Sequence, residues 1–177
     1  MKVLIPLADG FEDIEAFTVI DVLRRAGIQV DPVGVTGMSV TSREGIRVML
    51  DKRLDMINPD DYDGIVLPGG SQGVANLSKS SRLRRILREY NTKGKLIAAI
   101  CAAPLILASE GILDNKRATI YPGLERRIPY PRGDRVVVDG NIITSQGPGT
   151  AMEFALKIVE VLKGKNKLIR LKKELVV

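Results

Sequence analysis

Three stretches of this 177-residue chain carry groups able to do chemistry. The only cysteine, Cys101, stands where the apolar run "LIAAI" meets "AAPLILASEG". Four acids, Asp9, Glu12, Asp13 and Glu15, crowd into "ADGFEDIEA", and Gly69 and Gly70 close "YDGIVLPGG". A thiol, a carboxyl and unhindered backbone N–H groups are the parts of a nucleophilic site. The sulfur attacks, the carboxyl moves protons, and the N–H groups hold the oxyanion that forms. Each part also has a plainer reading. A lone cysteine packs as a small hydrophobe, acids favour the first turn of a helix, and paired glycines make tight turns.

Composition narrows the chemistry. The chain has no histidine and one cysteine, so a zinc site lacks ligands and an internal disulfide is impossible. The net charge of +6 invites a nucleic-acid reading. Yet the basic residues of "RLRRILRE" and "KGKNKLIRLKKE" alternate with leucine and isoleucine at helical spacing, as on the solvated faces of amphipathic helices. Aromatic residues that stack on bases make up only 4%, so nucleic acid is not expected as a direct partner. No apolar run approaches the ~20 residues that cross a bilayer. The start "MKVLIPLADG" fits neither a signal nor a transit peptide, and a cytoplasmic location is expected.

The elements that must position these groups alternate between strand and helix. "KVLIPLA", "IQVDPVGV", "YDGIVLPGG", "LIAAI" and "NIITSQ" are short apolar runs of the kind buried on both faces of a parallel sheet. "EDIEAFTVIDVLRRAG" is a helix whose stripe is expected to run through Ile14, Phe17, Val22 and Ala26, with Gly27 after its end. "SVTSREGIRVMLD" reads as a hairpin around Glu44 and Gly45, and "ATIYP" and "RVVVDG" as short strands. "SSRLRRILREYNTKG", "APLILASEG" and "TAMEFALKIVEVLKG" are further helices. The basic tail 164–177 reads as a mobile or docking extension of one domain spanning 1–177. This alternation predicts an α/β/α sandwich around a mostly parallel sheet, which binds ligands beyond the carboxyl ends of its strands. Glu15, Gly69, Gly70 and Cys101 all fall at such ends.

Position changes the reading of Cys101. The chain must turn sharply between strand and helix at the cysteine itself, as at a nucleophile elbow, and Pro104 suits the first helical turn. A thiol over a helix N-terminus is expected to ionise below its free value of ~8.5.

"GFEDIEA", "DGIVLPGG", "LIAAICAAP" and "TSQGPGTAMEFALKIVEVLKG", in this order over nearly the whole chain, resemble the ThiJ/PfpI superfamily, in its DJ-one branch with bacterial relatives. The resemblance implies a flavodoxin-like fold and a homodimer formed through the first helix. It implies that Cys101 is the reactive cysteine, that Glu15 hydrogen-bonds its sulfur, and that Gly70 and Ala102 turn their N–H groups to the site. Arg25 and Ile14 fall near the implied dimer interface, and Arg43 near the pocket. The implied activity needs no cofactor or metal. It converts a small aldehyde such as methylglyoxal to lactate, or removes glycation adducts. The implied alternative is a redox-responsive protective protein that senses peroxide through Cys101. One departure stands out: the segment matching "ATIYPG" often carries a histidine in the family, and here it carries Tyr121. A phenol with a pKa of ~10 is a poor base at neutral pH, so Tyr121 either donates a hydrogen bond or only walls the pocket. A Cys-His peptidase is therefore not expected.

Overall fold

The computed structural model describes residues 1–177. Six strands form the central sheet: β1 (Lys2–Leu7), β2 (Gln29–Gly34), β5 (Gly64–Leu67), β6 (Leu96–Ile100), β9 (Val136–Asp139) and β10 (Ile142–Ser145). Their order is β2-β1-β5-β6-β10-β9, and all neighbours run parallel except the edge pair β10–β9. "GIVL" of β5 and "LIAAI" of β6 are buried at every position, so their unbroken apolar runs belong to central strands covered on both faces. β3 (Ser39–Thr41) and β4 (Arg47–Met49) make the expected hairpin outside this sheet.

Helices cover both faces, as the alternation predicts. α1 (Asp13–Arg25), α5 (Ala151–Lys163) and α6 (Lys165–Leu175) pack on one side, contributing Val19, Leu23, Phe154, Ile158 and Leu171 to its core. α2 (Ser71–Ser78), α3 (Ser81–Thr92) and α4 (Pro104–Ser109) pack on the other, contributing Leu77, Leu83, Ile86, Ile106 and Leu107. α3 shows how sequence sets such an element. The Ser80 hydroxyl accepts the Leu83 N–H at 3.2 Å, and Leu83, Ile86, Leu87 and Tyr90 fall on one buried face.

Four expectations need correction. The buried stripe of α1 is Glu15, Ala16, Val19, Val22 and Leu23, whereas Ile14 is 53% exposed and Phe17 36%. The helix is rotated from the apolar stripe because Glu15 must point inward. α2 is an additional helix in "SQGVANLS", hidden in the sequence by Gly73 and Asn76, both weak helix formers. Gly73 is there for contact: a Cβ would sit 2.8 Å from Phe11 Cα. The tail 164–177 is mostly α6, not a mobile segment: it docks on α5 with Leu171 in the core, and Leu168 and Leu175 pack against that core. "ATIYP" yields only the two-residue strand β7 (Arg117–Ala118), paired with β8 (Tyr130–Pro131), because Tyr121 turns away to bond the Cys101 carbonyl.

Candidate active site

Sheet order brings the site together. β1, β5 and β6 are neighbours, so the segments leaving their carboxyl ends meet: α1 with Glu15, Gly69–Gly70, and Cys101. The Gly69 N–H donates to Glu15 Oε2 at 2.7 Å, inside the protein. A Cβ on Gly69 would lie 2.5 Å from both Cys101 Cβ and Glu15 Oε2, so only glycine lets carboxyl and thiol close on each other. Gly70 has φ +89°, and a side chain there would strike the Gly10 carbonyl oxygen.

Cys101 sits on the elbow. Its φ is +64°, a left-handed conformation that costs a non-glycine residue about 1–3 kcal/mol and persists only when neighbours over-determine it. They do so here. The Cys101 N–H donates to the Ser145 carbonyl at 3.0 Å, the Tyr121 N–H donates to the Cys101 carbonyl at 3.0 Å, and the Ala103 N–H donates to Ile100 at 3.0 Å. The Ser145 hydroxyl in turn bonds the Arg135 carbonyl and Thr150. Ser145 and Thr150 were not singled out in the sequence. Their only signal is a pair of hydroxyls flanking the turn "QGPG".

The electrostatics depart from the helix-terminus expectation. Burial, then the adjacent Glu15 charge, push the Cys101 thiol up to about 12, against the pull of the Gly70 and Ala102 N–H groups on the sulfur. α4 starts only at Pro104 and is six residues long, so its dipole offers little. Burial likewise pushes Glu15 up to about 7, although the Gly69 N–H and the thiol both favour its anion. The pair therefore resists carrying two negative charges. Near neutrality Glu15 gains or loses its proton beside a neutral thiol. Glu15 Oε1 is buried without another hydrogen bond, leaving it free to take a proton. Cys101 itself is only half-buried, so small molecules can reach it.

The remaining candidates take other places. Asp9 accepts the Thr41 N–H at 2.7 Å, Asp13 accepts the Glu44 N–H at 3.3 Å, and Glu12 pairs with Arg43 at 3.4 Å. These acids fasten the β3–β4 hairpin to the mouth of the site, while Glu15 alone turns to Cys101. Arg43 also borders a polar cleft of about 380 Å³ with Asp9, Ser42 and Ser71. Tyr121 is 48% exposed, and its ring lies beside Gly147. Arg25 pairs within its own chain, with Asp21 at 3.0 Å and Glu174 at 3.5 Å. No cluster of three or more His, Cys, Asp or Glu side chains is placed to hold a metal ion. No helix is long and apolar enough to cross a membrane.

A strand-order α/β/α sandwich with a strained cysteine facing a buried carboxyl defines a flavodoxin-like protein with a thiol elbow. The chain belongs to the DJ-1/PfpI family, whose family model matches residues 1–161. It is 43% identical to "Protein dj-1beta" of Drosophila melanogaster over 98% of this chain and 96% of that protein. It is 41% identical to "Parkinson disease protein 7 homolog" of Danio rerio, over 92% and 90%. Among solved structures, "Toxoplasma gondii DJ-1, oxidized" superposes with a TM-score of 0.96 at 38% identity, covering 99% of this chain and 97% of that one.

Proposed function

We propose that the protein is a cofactor-independent enzyme that acts on small reactive carbonyls, converting an α-oxoaldehyde such as methylglyoxal to the 2-hydroxy acid. The observation that supports this most is the buried Glu15 carboxyl, held by Gly69 against the Cys101 thiol and titrating near neutrality. As Cys101 Sγ bonds to the aldehyde carbon, Glu15 takes the thiol proton and returns it to the new oxyanion, which the Gly70 and Ala102 N–H groups steady. Glu15 then removes the hydrogen from that carbon to give an enediol, and delivers a proton to the neighbouring carbon. The first carbon is thereby oxidised and the second reduced within one molecule. The product is a thioester, which water cleaves to the hydroxy acid and free thiol. Removal of glycation adducts would use the same first step.

A second reading is favoured by the half-buried thiol with two N–H donors at the sulfur, and by a structural relative described as oxidized. Here peroxide carries Cys101 to a sulfinate, and the protein protects rather than turns over. Methylglyoxal consumption by purified protein, set against peroxide-dependent mass gain, separates the two. In either case the protein is proposed to form a homodimer through α1, where Ile14 and Phe17 leave an apolar face uncovered.

A further inference from the structure

A second cleft opens on the other side of Ser71 from the polar one. It has a volume of about 430 Å³, within the range of small-ligand sites, which is about 300–1,000 Å³. Val74 and Ala75 of α2 form one wall, Leu105 and Ile106 of α4 the other, and Leu124 closes the end. Ala102, which follows Cys101 directly and whose N–H favours the thiolate, is among the residues that line it. Arg127 lines it as well, exposed and making no ion pair or side-chain hydrogen bond within the chain. On the neighbouring helix α3 the guanidinium groups are engaged, Arg84 and Arg88 with Glu110 and Arg82 with the Leu54 and Ile57 carbonyls, and of the basic side chains only Arg127 lines this cleft.

We infer that this groove is the subsite for the body of the substrate, and that it takes a carbonyl compound with an apolar stem ending in an anionic group. The inference rests on the carbonyl-acting reading above and names which carbonyls the site prefers. Two features argue for a small molecule of this class. The groove is continuous with Ala102 and Ser71, so a substrate whose aldehyde carbon reaches Cys101 would lay its remaining atoms along Leu105 and Val74. The unpaired Arg127 guanidinium in the lining then complements a carboxylate or phosphate, which it can hold by two parallel hydrogen bonds. Methylglyoxal fills none of this groove, since its methyl group is all that lies beyond the reacting carbons.

The first test measures binding without chemistry. Octanoate, an apolar stem with a carboxylate, is titrated calorimetrically into the Cys101→Ser protein. It is expected to bind, about tenfold more weakly after Arg127→Gln, and not measurably after Ala75→Phe, which fills the groove from an exposed helix position. The second test is kinetic. On the wild-type chain, 7,8-dioxooctanoate is expected to show a KM at least tenfold below those of methylglyoxal and 2-oxooctanal, and Arg127→Gln should raise that KM with little change in kcat. Turnover of methylglyoxal without octanoate binding would overturn the groove alone. Octanoate binding without turnover of any α-oxoaldehyde would overturn the enzyme reading and, with it, the groove's role as a subsite. Equal KM values for 7,8-dioxooctanoate and 2-oxooctanal would remove the anionic end from the inference.

Discussion

Gly69 bonds Glu15 Oε2 through its N–H at 2.7 Å while leaving no room for a Cβ against Cys101, so one glycine fixes the distance between the acid and the thiol. Gly69→Ala is therefore expected to push the pair apart. Turnover should fall at least a hundredfold, and crowding should cost about 1–3 kcal/mol in urea unfolding. Wild-type activity in a folded Gly69→Ala protein would show that the contact is incidental.

The raised titration of Glu15 makes a prediction about stability. Its folded-state value, about 7, lies above its ordinary 4.5, so the folded protein keeps a proton that the unfolded chain has lost between those values. Stability from this group is thus fully present below about pH 4.5 and lost as pH rises through about 7, a penalty on the order of 3 kcal/mol. Glu15→Gln cannot ionise and should escape it. The variant's advantage in thermal unfolding should be small at pH 5 and clear at pH 8. Glu12→Gln, which removes an acid paired with Arg43 and only a minor contributor to the Glu15 shift, should show a much smaller growth with pH.

Thiol chemistry should follow the same group. With Glu15 as the base that accepts the thiol proton, alkylation of native Cys101 by iodoacetamide should accelerate with an inflection near pH 7. In Glu15→Gln that inflection should vanish, leaving a rate that climbs only toward the thiol's own high range. A flat rate from pH 5 to 8 would mean that the thiolate is already formed, as the helix-terminus argument alone would have it. Cys101→Ala should abolish turnover with little loss of stability, because the side chain is small and half-buried.

Self-association should depend on α1. Ile14 is 53% exposed and touches no core, so Ile14→Glu should leave the monomer fold intact and convert a sedimenting dimer to a monomer. A wild-type monomer at micromolar concentration would end the dimer proposal.

The fold and the place of the thiol at its centre were legible because they rest on patterns that sequence displays, whereas the partnership of Glu15 with that thiol came only through the family resemblance. Unbroken apolar runs announced β5 and β6, and a cysteine between strand and helix announced the elbow. What could not be read was set by tertiary contact. Glu15 looks like any first-turn acid until α1 is turned inward, which leaves Ile14 and Phe17 outside. The thiol's resistance to ionisation comes from burial beside that carboxyl, a property of three neighbouring strands rather than of the residues around Cys101. The hydroxyl network of Ser145 and Thr150 likewise acts through β10, forty-four residues downstream in the case of Ser145.

The absent histidine yields the last prediction. Hydrolysis of a peptide bond needs a group that protonates the departing amine, and imidazole does so because its pKa of ~6.5 lies near neutrality. Tyr121 occupies the corresponding segment, but its role in the structure runs through its backbone. Its N–H holds the Cys101 carbonyl at 3.0 Å, while the residue is 48% exposed with its ring beside Gly147. Aldehyde chemistry expels no amine, and one carboxyl titrating near neutrality can make both proton transfers. Purified protein is therefore expected to turn over an α-oxoaldehyde in a Cys101-dependent way and to leave casein and model peptides uncut. Tyr121→Phe, which keeps the backbone N–H, should change the rate by less than about tenfold, or ~1.4 kcal/mol. Casein cleavage that disappears in Cys101→Ala would overturn this assignment, and a hundredfold loss in Tyr121→Phe would move the phenol into the chemistry.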